Sequence, residues 1–348
     1  MFDLNILVRR NIRDLKPYSS ARDEFKGEAN IFLDANENSL GSPLTKWYNR
    51  YPDPLQLKVK EKISFIKQIP IDHIFLGNGS DEAIDLLYRC FCEPGIDEAI
   101  VFPPTYGMYE VSANINNVKT IKVSLTDDFQ LDLASLEQSI KPNTKIIWIC
   151  SPNNPSGNAI DRQDIEMILN NFDGLVVVDE AYVNFSKHQS FISLIHEYPN
   201  LVVLQTLSKA WGLAGLRVGM AFASVEIIGY LNKVKPPYNI SQPVQDLALE
   251  ALDEIGQVND MIRELVESRE QLKNQLQLIP NVIKVYPSDA NFLLVKIKDA
   301  KAVYDHLIQL GIVVRDRSNV MLCDDCLRIT VGTQRENAVL IESLTSRS

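Results

Sequence analysis

Seven short apolar runs, separated by helix-like stretches, constrain this chain more than any other feature. They lie between Ile74 and Ala223 and read "IFLG", "EAIVF", "KTIKV", "KIIWIC", "GLVVVD", "LVVLQT" and "RVGMAFA". Most lack a polar alternation, so both faces of such a strand must be covered. Helical periodicity falls between them at Asp81–Cys92, Leu133–Ile140 and Arg162–Asn171. Buried runs alternating with helices predict an α/β fold whose large domain is a mostly parallel sheet flanked by helices. The pattern changes after "KVKPPYNIS" (Lys233–Ser241). A long charged helical stretch follows from about Gln257 to Leu278, then strand-like "VIKVY", "NFLLVKI" and "CLRITVG", with a helical "AKAVYDHLIQL" between the last two. That mixture predicts a smaller α+β domain. The expected division is an N-terminal arm at 1–44 packing on the small domain, a large domain at 45–250 and a small domain at 251–348.

The 348 residues suffice for two domains. A formal net charge of −10 argues against nucleic-acid binding, which needs a basic surface. No apolar run approaches the ~18 residues of a membrane span. The first residues, "MFDLNILVRRN", carry an acid and only a short apolar stretch, unlike a secretory signal. The expected location is the cytoplasm, with no membrane partner. The pairs Cys90/Cys92 and Cys323/Cys326 fit no common four-ligand metal spacing, and Cys150 stands alone, so no metal is expected. The four histidines are scattered and read as surface or packing residues.

Neither a dinucleotide-binding nor a phosphate-loop glycine motif is present, nor a G-x-S-x-G elbow. Five other stretches carry chemistry. "LGNGSDEAIDLL" ends a strand in a glycine turn and opens a helix at Ser80 and Asp81, a start that suits a phosphate or is simply capped. "FPPTYGMY" stiffens a loop that holds Tyr106, which can stack on a flat ligand or pack a turn. "CSPNNPSGN" fixes Asn154 before a proline at a strand's C-terminal edge. "GLVVVDEAY" puts Asp179 at the end of an apolar strand, with Tyr182 three residues on. A carboxylate at that depth is costly unless paired, and a protonated heterocyclic nitrogen is one partner that solves this. "LQTLSKAWGLAGLRVG" places Ser208 and Lys209 in a small-residue turn, with Arg217 eight positions after the lysine. A lysine desolvated there becomes a neutral nucleophile, and an arginine fork suits a phosphate.

An amine, an acid, an amide, a phenol, a ring stacker and a phosphate cup match the groups of pyridoxal 5′-phosphate. On this reading Lys209 is its Schiff-base lysine, Asp179 pairs with the ring nitrogen and Arg217 holds the phosphate.

The chain also resembles the fold-type I pyridoxal-phosphate aminotransferases, in the branch that acts on histidinol phosphate. The resemblance rests on "NIRDLKPYSSARDEF", "LDANENSLG", "RYPDP", "GNGSDE", "PPTYGMY", "SPNNPSGN", "VVVDEAY", "TLSKAWGLAGLRVG" and "VVRDRSNV…CLRITVGT", in that order along nearly the whole length. It implies that Lys209 shuttles the reaction's proton and that Asn154 and Tyr182 bind the cofactor's 3-oxygen. Tyr106 would stack on the ring, and Gly79, Ser80, Asp81, Ser208 and Arg217 would hold the phosphate. It further implies a homodimer with shared sites, in which Tyr51 reaches the neighbouring subunit's phosphate. Arg328, assisted by Arg315, would hold the anionic end of each substrate, and Tyr18 and Asn36 are candidate substrate contacts. Trp211 stands where a smaller residue is expected. A phosphoamino-acid decarboxylase, an aromatic or broad-specificity aminotransferase and a ligand-binding regulator on the same fold remain the alternatives.

Overall fold

A computed structural model of the chain describes residues 2–18 and 30–346. Its large sheet has seven strands: β1 (Ile74–Asn78), β2 (Glu98–Val101), β3 (Lys119–Lys122), β4 (Thr144–Cys150), β5 (Leu175–Asp179), β6 (Leu201–Thr206) and β7 (Val218–Phe222). Their order is β1-β7-β6-β5-β4-β2-β3, and only β7 runs antiparallel to its neighbours. Each strand grew from one of the seven apolar runs.

The alternation of a strand explains why those runs are apolar throughout. Ile147, Ile149, Val176, Val178 and Val203 enter the core on one face. Ile146, Trp148, Leu175, Val177 and Val202 enter the core on the other. Helices Leu57–Lys67 and Arg162–Asn171 cover the first face through Ile63 and Ile165, and helices Gly79–Phe91 and Val225–Val234 cover the second through Leu87 and Leu231.

The small domain has a four-stranded antiparallel sheet in the order β10-β11-β9-β8, with β8 at Val282–Val285, β9 at Phe292–Ile297, β10 at Arg315–Asp316 and β11 at Cys326–Thr330. Its Leu293, Val295, Leu327 and Ile329 pack under helices Ile255–Gln277, Ala300–Gln309 and Gln334–Thr345. The alternate residues Phe292, Leu294 and Cys326 join the large-domain core instead. One face of the small sheet therefore closes over the large domain, which carries Arg328 toward the strand ends described below.

The domain boundary and the arm differ from the sequence reading. Position 250 falls inside helix Gln242–Asp253, whose Ala248 and Leu252 pack in the large core. The passage between cores runs along Ile255–Gln277, from Val258 in the large core to Leu272 and Leu276 in the small one. The first residues pack on the large domain and not on the small one. Leu7, Val8 and Ile12 enter the core beneath helix Gly79–Phe91, Arg9 Nη1 donates to the Arg89 carbonyl at 3.0 Å, and Lys233 Nζ donates to the Arg13 carbonyl at 2.8 Å. The reason is an apolar side-chain set that fits a groove already lined by Phe91 and Tyr230. Residues 19–29 of the expected arm lie outside the described residues.

Candidate active site

The C-terminal ends of the parallel strands converge, the usual place for a ligand in an open α/β sheet. β1 ends at Asn78 and passes straight into helix Gly79–Phe91, two residues earlier than a Ser80 cap would give. No side chain caps this helix, so the N–H groups that follow Gly79 at its start stay available to an anion. Gly79 adopts φ +70°, and its N–H donates to the Arg217 carbonyl at 2.7 Å. A Cβ on Gly219 would lie 2.1 Å from the Gly79 carbonyl carbon and the Ser80 nitrogen. Only a glycine in β7 lets the helix start press this closely against the strand that follows Arg217.

Arg217 Nη2 lies 3.3 Å from Asp81 Oδ2, and the Tyr106 hydroxyl donates to Asp81 Oδ1 at 3.0 Å. Thr206, the last residue of β6, donates to Ser208 Oγ at 2.9 Å and accepts from the Ser208 N–H at 3.0 Å. These bonds shape the turn that delivers Lys209. Lys209 is exposed to solvent in the single chain. Its amine is pushed below the usual lysine range by burial first, then by Arg328 and Arg217, against Asp179 and Asp81.

Asp179 ends β5 and is buried. The Tyr109 hydroxyl donates to its Oδ2 at 2.7 Å, and the Ala181 N–H donates to its Oδ1 at 3.1 Å. Burial pushes the carboxyl up to about 6, with those two bonds and Lys209 opposing. No lysine or arginine among the described residues lies within 4.0 Å of it. Tyr182 meets Phe292 edge-on at 5.1 Å, and its ring centroid is 5.6 Å from Lys209 Nζ. Burial and the neighbouring Cys150 raise its phenol, so it stays a donor. Asn154 accepts from Arg328 Nη1 at 2.5 Å through Oδ1, which turns its NH₂ away from the arginine. Burial lowers Arg328, with Arg317 and Arg315 adding and Tyr182 opposing.

One cleft brings together ten of the residues singled out from sequence. Gly79, Ser80, Asp81, Ser208 and Arg217 form one end. Tyr106, Asn154, Asp179, Tyr182 and Lys209 line the rest. Arg328 joins its edge through Asn154. Arg315 is exposed and stands opposite Arg328 in the β10–β11 register. Three residues are elsewhere in the single chain. Tyr51 stacks on Tyr238 at 4.4 Å and lines a second cleft with Asn36, and Tyr18 is 75% exposed. Trp211 turns into the large core and does not line the cavity. Sequence reading missed Tyr109, Cys150, Ala181 and Thr206. Cys150 stands opposite Asp179 in the β4–β5 register, and burial beside that acid raises its thiol well above the ordinary range. The signal for Tyr109 was its place one helical turn after Tyr106.

The aminotransferase class I and II family model matches residues 28–344. A histidinol-phosphate aminotransferase of Parabacteroides distasonis is 55% identical over 344 residues, covering 99% of both chains. One of Cytophaga hutchinsonii is 53% identical over 343 residues, again with 99% of both covered. The crystal structure of histidinol-phosphate aminotransferase from Sinorhizobium meliloti, in complex with pyridoxal-5′-phosphate, has a TM-score of 0.78 over 85% of this chain and 82% of that one, at 22% identity.

Proposed function

The chain belongs to the aminotransferase class I and II family, and from that premise we propose that it moves an amino group between histidinol phosphate and 2-oxoglutarate, giving imidazole acetol phosphate and glutamate. The observation that carries this reading is the single cavity that joins Lys209, Asp179 and the Gly79–Arg217 cup, with Arg328 at its edge.

The cofactor is pyridoxal 5′-phosphate, and the residues fit it. An acid buried with no cationic partner among the described residues is left for a protonated ring nitrogen. The uncapped helix start, Ser208 and Arg217 would take the phosphate, and Tyr106 would cover the ring. Bound there, the cofactor supplies a carbonyl carbon that accepts amines and a ring that withdraws electrons from the substrate carbon.

The protein's own groups do the rest. Asp179 would hold a proton on the ring nitrogen, because two donors favour and direct its carboxylate. Asn154 and Tyr182 would donate to the cofactor's 3-oxygen. Lys209, with its amine pushed toward the neutral form, would hold the cofactor by its carbonyl carbon and, freed from it by the incoming amine, would be the base that moves a proton between the substrate carbon bearing nitrogen and the carbon on the other side of that nitrogen. Arg328 positions the substrate by its anionic end, a carboxylate in one half-reaction and a phosphate in the other, and a guanidinium fork suits both. Arg315, opposite it in register, adds positive charge there.

The reading extends to a homodimer in the cytoplasm. Ile31, Leu33, Leu40 and Trp47 are 77%, 83%, 90% and 67% exposed, a concentration of apolar surface that suits an interface. Tyr51 lies beside this segment and would reach the partner's phosphate site, with Tyr18 and Asn36 as substrate contacts from the same region. No helix among the described residues is long and apolar enough to cross a membrane.

The test is to mix the purified protein with histidinol phosphate and 2-oxoglutarate and to follow glutamate and the cofactor absorbance. Glutamate formation is expected. Release of carbon dioxide from threonine phosphate, without glutamate turnover, would replace this reading with the decarboxylase.

A further inference from the structure

We propose that Tyr109 is a positioning residue for this reaction, whose hydroxyl holds Asp179 ionised and aimed at the cofactor's ring nitrogen; the inference rests on the cofactor reading above. A fully buried phenol must find an acceptor or lose hydrogen-bond energy. The acceptor Tyr109 takes is Oδ2 of Asp179, at 2.7 Å and 70 residues away. Phenylalanine would fill the same space, so packing does not require the hydroxyl.

The ring is clamped on all sides. It stacks on Trp148 at 5.0 Å with planes 14° apart, and meets Tyr106 edge-on at 5.6 Å. The Tyr88 hydroxyl donates to the Tyr109 carbonyl at 3.0 Å, which fixes the backbone. The donor is therefore preset. With Ala181 N–H on the other oxygen, one donor serves each side of the carboxylate.

The groups facing Asp179 are Tyr109 from helix Met108–Ile115, Cys150 from β4, Asp81 from helix Gly79–Phe91, Lys209 from the loop after β6, and Tyr106 and Tyr182. Burial and Asp81 push Asp179 toward its neutral form. Tyr109 and Ala181 oppose this, as does Lys209. A neutral acid could not keep a ring nitrogen protonated. Losing Tyr109 therefore shifts the carboxyl upward, and the site loses its anion at a higher pH.

Pyridoxamine 5′-phosphate tests this without a covalent bond to Lys209. Its dissociation constant is measured by equilibrium dialysis from pH 5 to pH 8 for the wild type, Tyr109→Phe and Tyr109→Leu. The expected result for Tyr109→Phe is binding about tenfold weaker at pH 7, with the acid-side loss of binding displaced upward by about one pH unit and the circular-dichroism spectrum of the fold unchanged. Titration of the ligand itself is common to all three proteins and cancels. Wild-type binding and pH dependence in Tyr109→Phe, or a change confined to Tyr109→Leu, overturns the proposal in favour of packing alone. A wild type that binds no pyridoxamine phosphate removes the cofactor reading as well.

Discussion

Arg328 Nη1 donates to Asn154 Oδ1 at 2.5 Å, and this bond joins a strand of the small domain to the loop after β4 in the large one. The guanidinium also lies 5.2 Å from the Phe292 ring centroid, and its Nε is buried without an acceptor among the described residues. A buried guanidinium N–H without an acceptor can accept an anionic ligand with little rearrangement.

Arg328→Ala should weaken both substrates. Charged hydrogen bonds of this kind contribute about 1.5–3 kcal/mol, roughly 10- to 150-fold in kcat/KM. Arg328→Lys should recover only part, because the fork is lost. Steady-state kinetics with histidinol phosphate and with glutamate check this. If only one substrate suffers, a single arginine does not serve both anions.

Gly219→Ala should remove the phosphate cup. The added Cβ would meet the Gly79 and Ser80 backbone at 2.1 Å, and no flexible side chain is there to yield. A loss of about 3 kcal/mol or more is expected in urea unfolding, with weakened cofactor binding. A variant with wild-type stability would mean that the β1–β7 end can open without cost.

Much of this was legible because strands buried on both faces leave continuous apolar runs. All seven large-sheet strands and ten of the cavity residues came from such runs and the turns that end them. Pairings across the chain were not legible. Nothing local tells that Tyr109 meets Asp179, or that Arg328 meets Asn154 174 residues earlier. The arm was misplaced for a related reason. Leu7, Val8 and Ile12 fit an apolar groove, but their spacing does not say whose groove it is. Helices Leu57–Lys67 and Gln242–Asp253 were not among the helices read from the sequence, because each carries polar residues around much of its surface.

Asp179 predicts a pH-dependent cost to the cofactor-free protein. Burial raises its carboxyl from 3.8 to about 6. The native state thus holds a proton that the unfolded chain releases. Stability from this group is complete below about pH 4 and is lost as pH rises through about 6, by up to about 3 kcal/mol. Asp179→Asn should lack that loss. Urea unfolding of the cofactor-free proteins at pH 4.5 and 7.5 should show the variant gaining on the wild type at the higher pH, although it will bind cofactor poorly. A pH-independent difference would mean that Asp179 is ionised at little cost.

Lys209→Ala should separate holding the cofactor from using it. On the proposed reading the phosphate end would be held by the helix start, Ser208 and Arg217, and the hydrogen bonds and ion pair that set them do not involve the Lys209 side chain. The variant should therefore fold and retain cofactor, but borohydride should no longer fix it to the chain. Proton transfer loses its base, and general acid–base catalysis contributes about 10²–10⁴-fold. Transamination should fall by at least that amount, since the covalent attachment is lost as well. Because the missing group is a small amine in a partly open site, added methylamine should restore part of the activity, in proportion to its neutral form. Retained transamination without any amine, or a borohydride adduct on another side chain, would assign the chemistry to a residue other than Lys209.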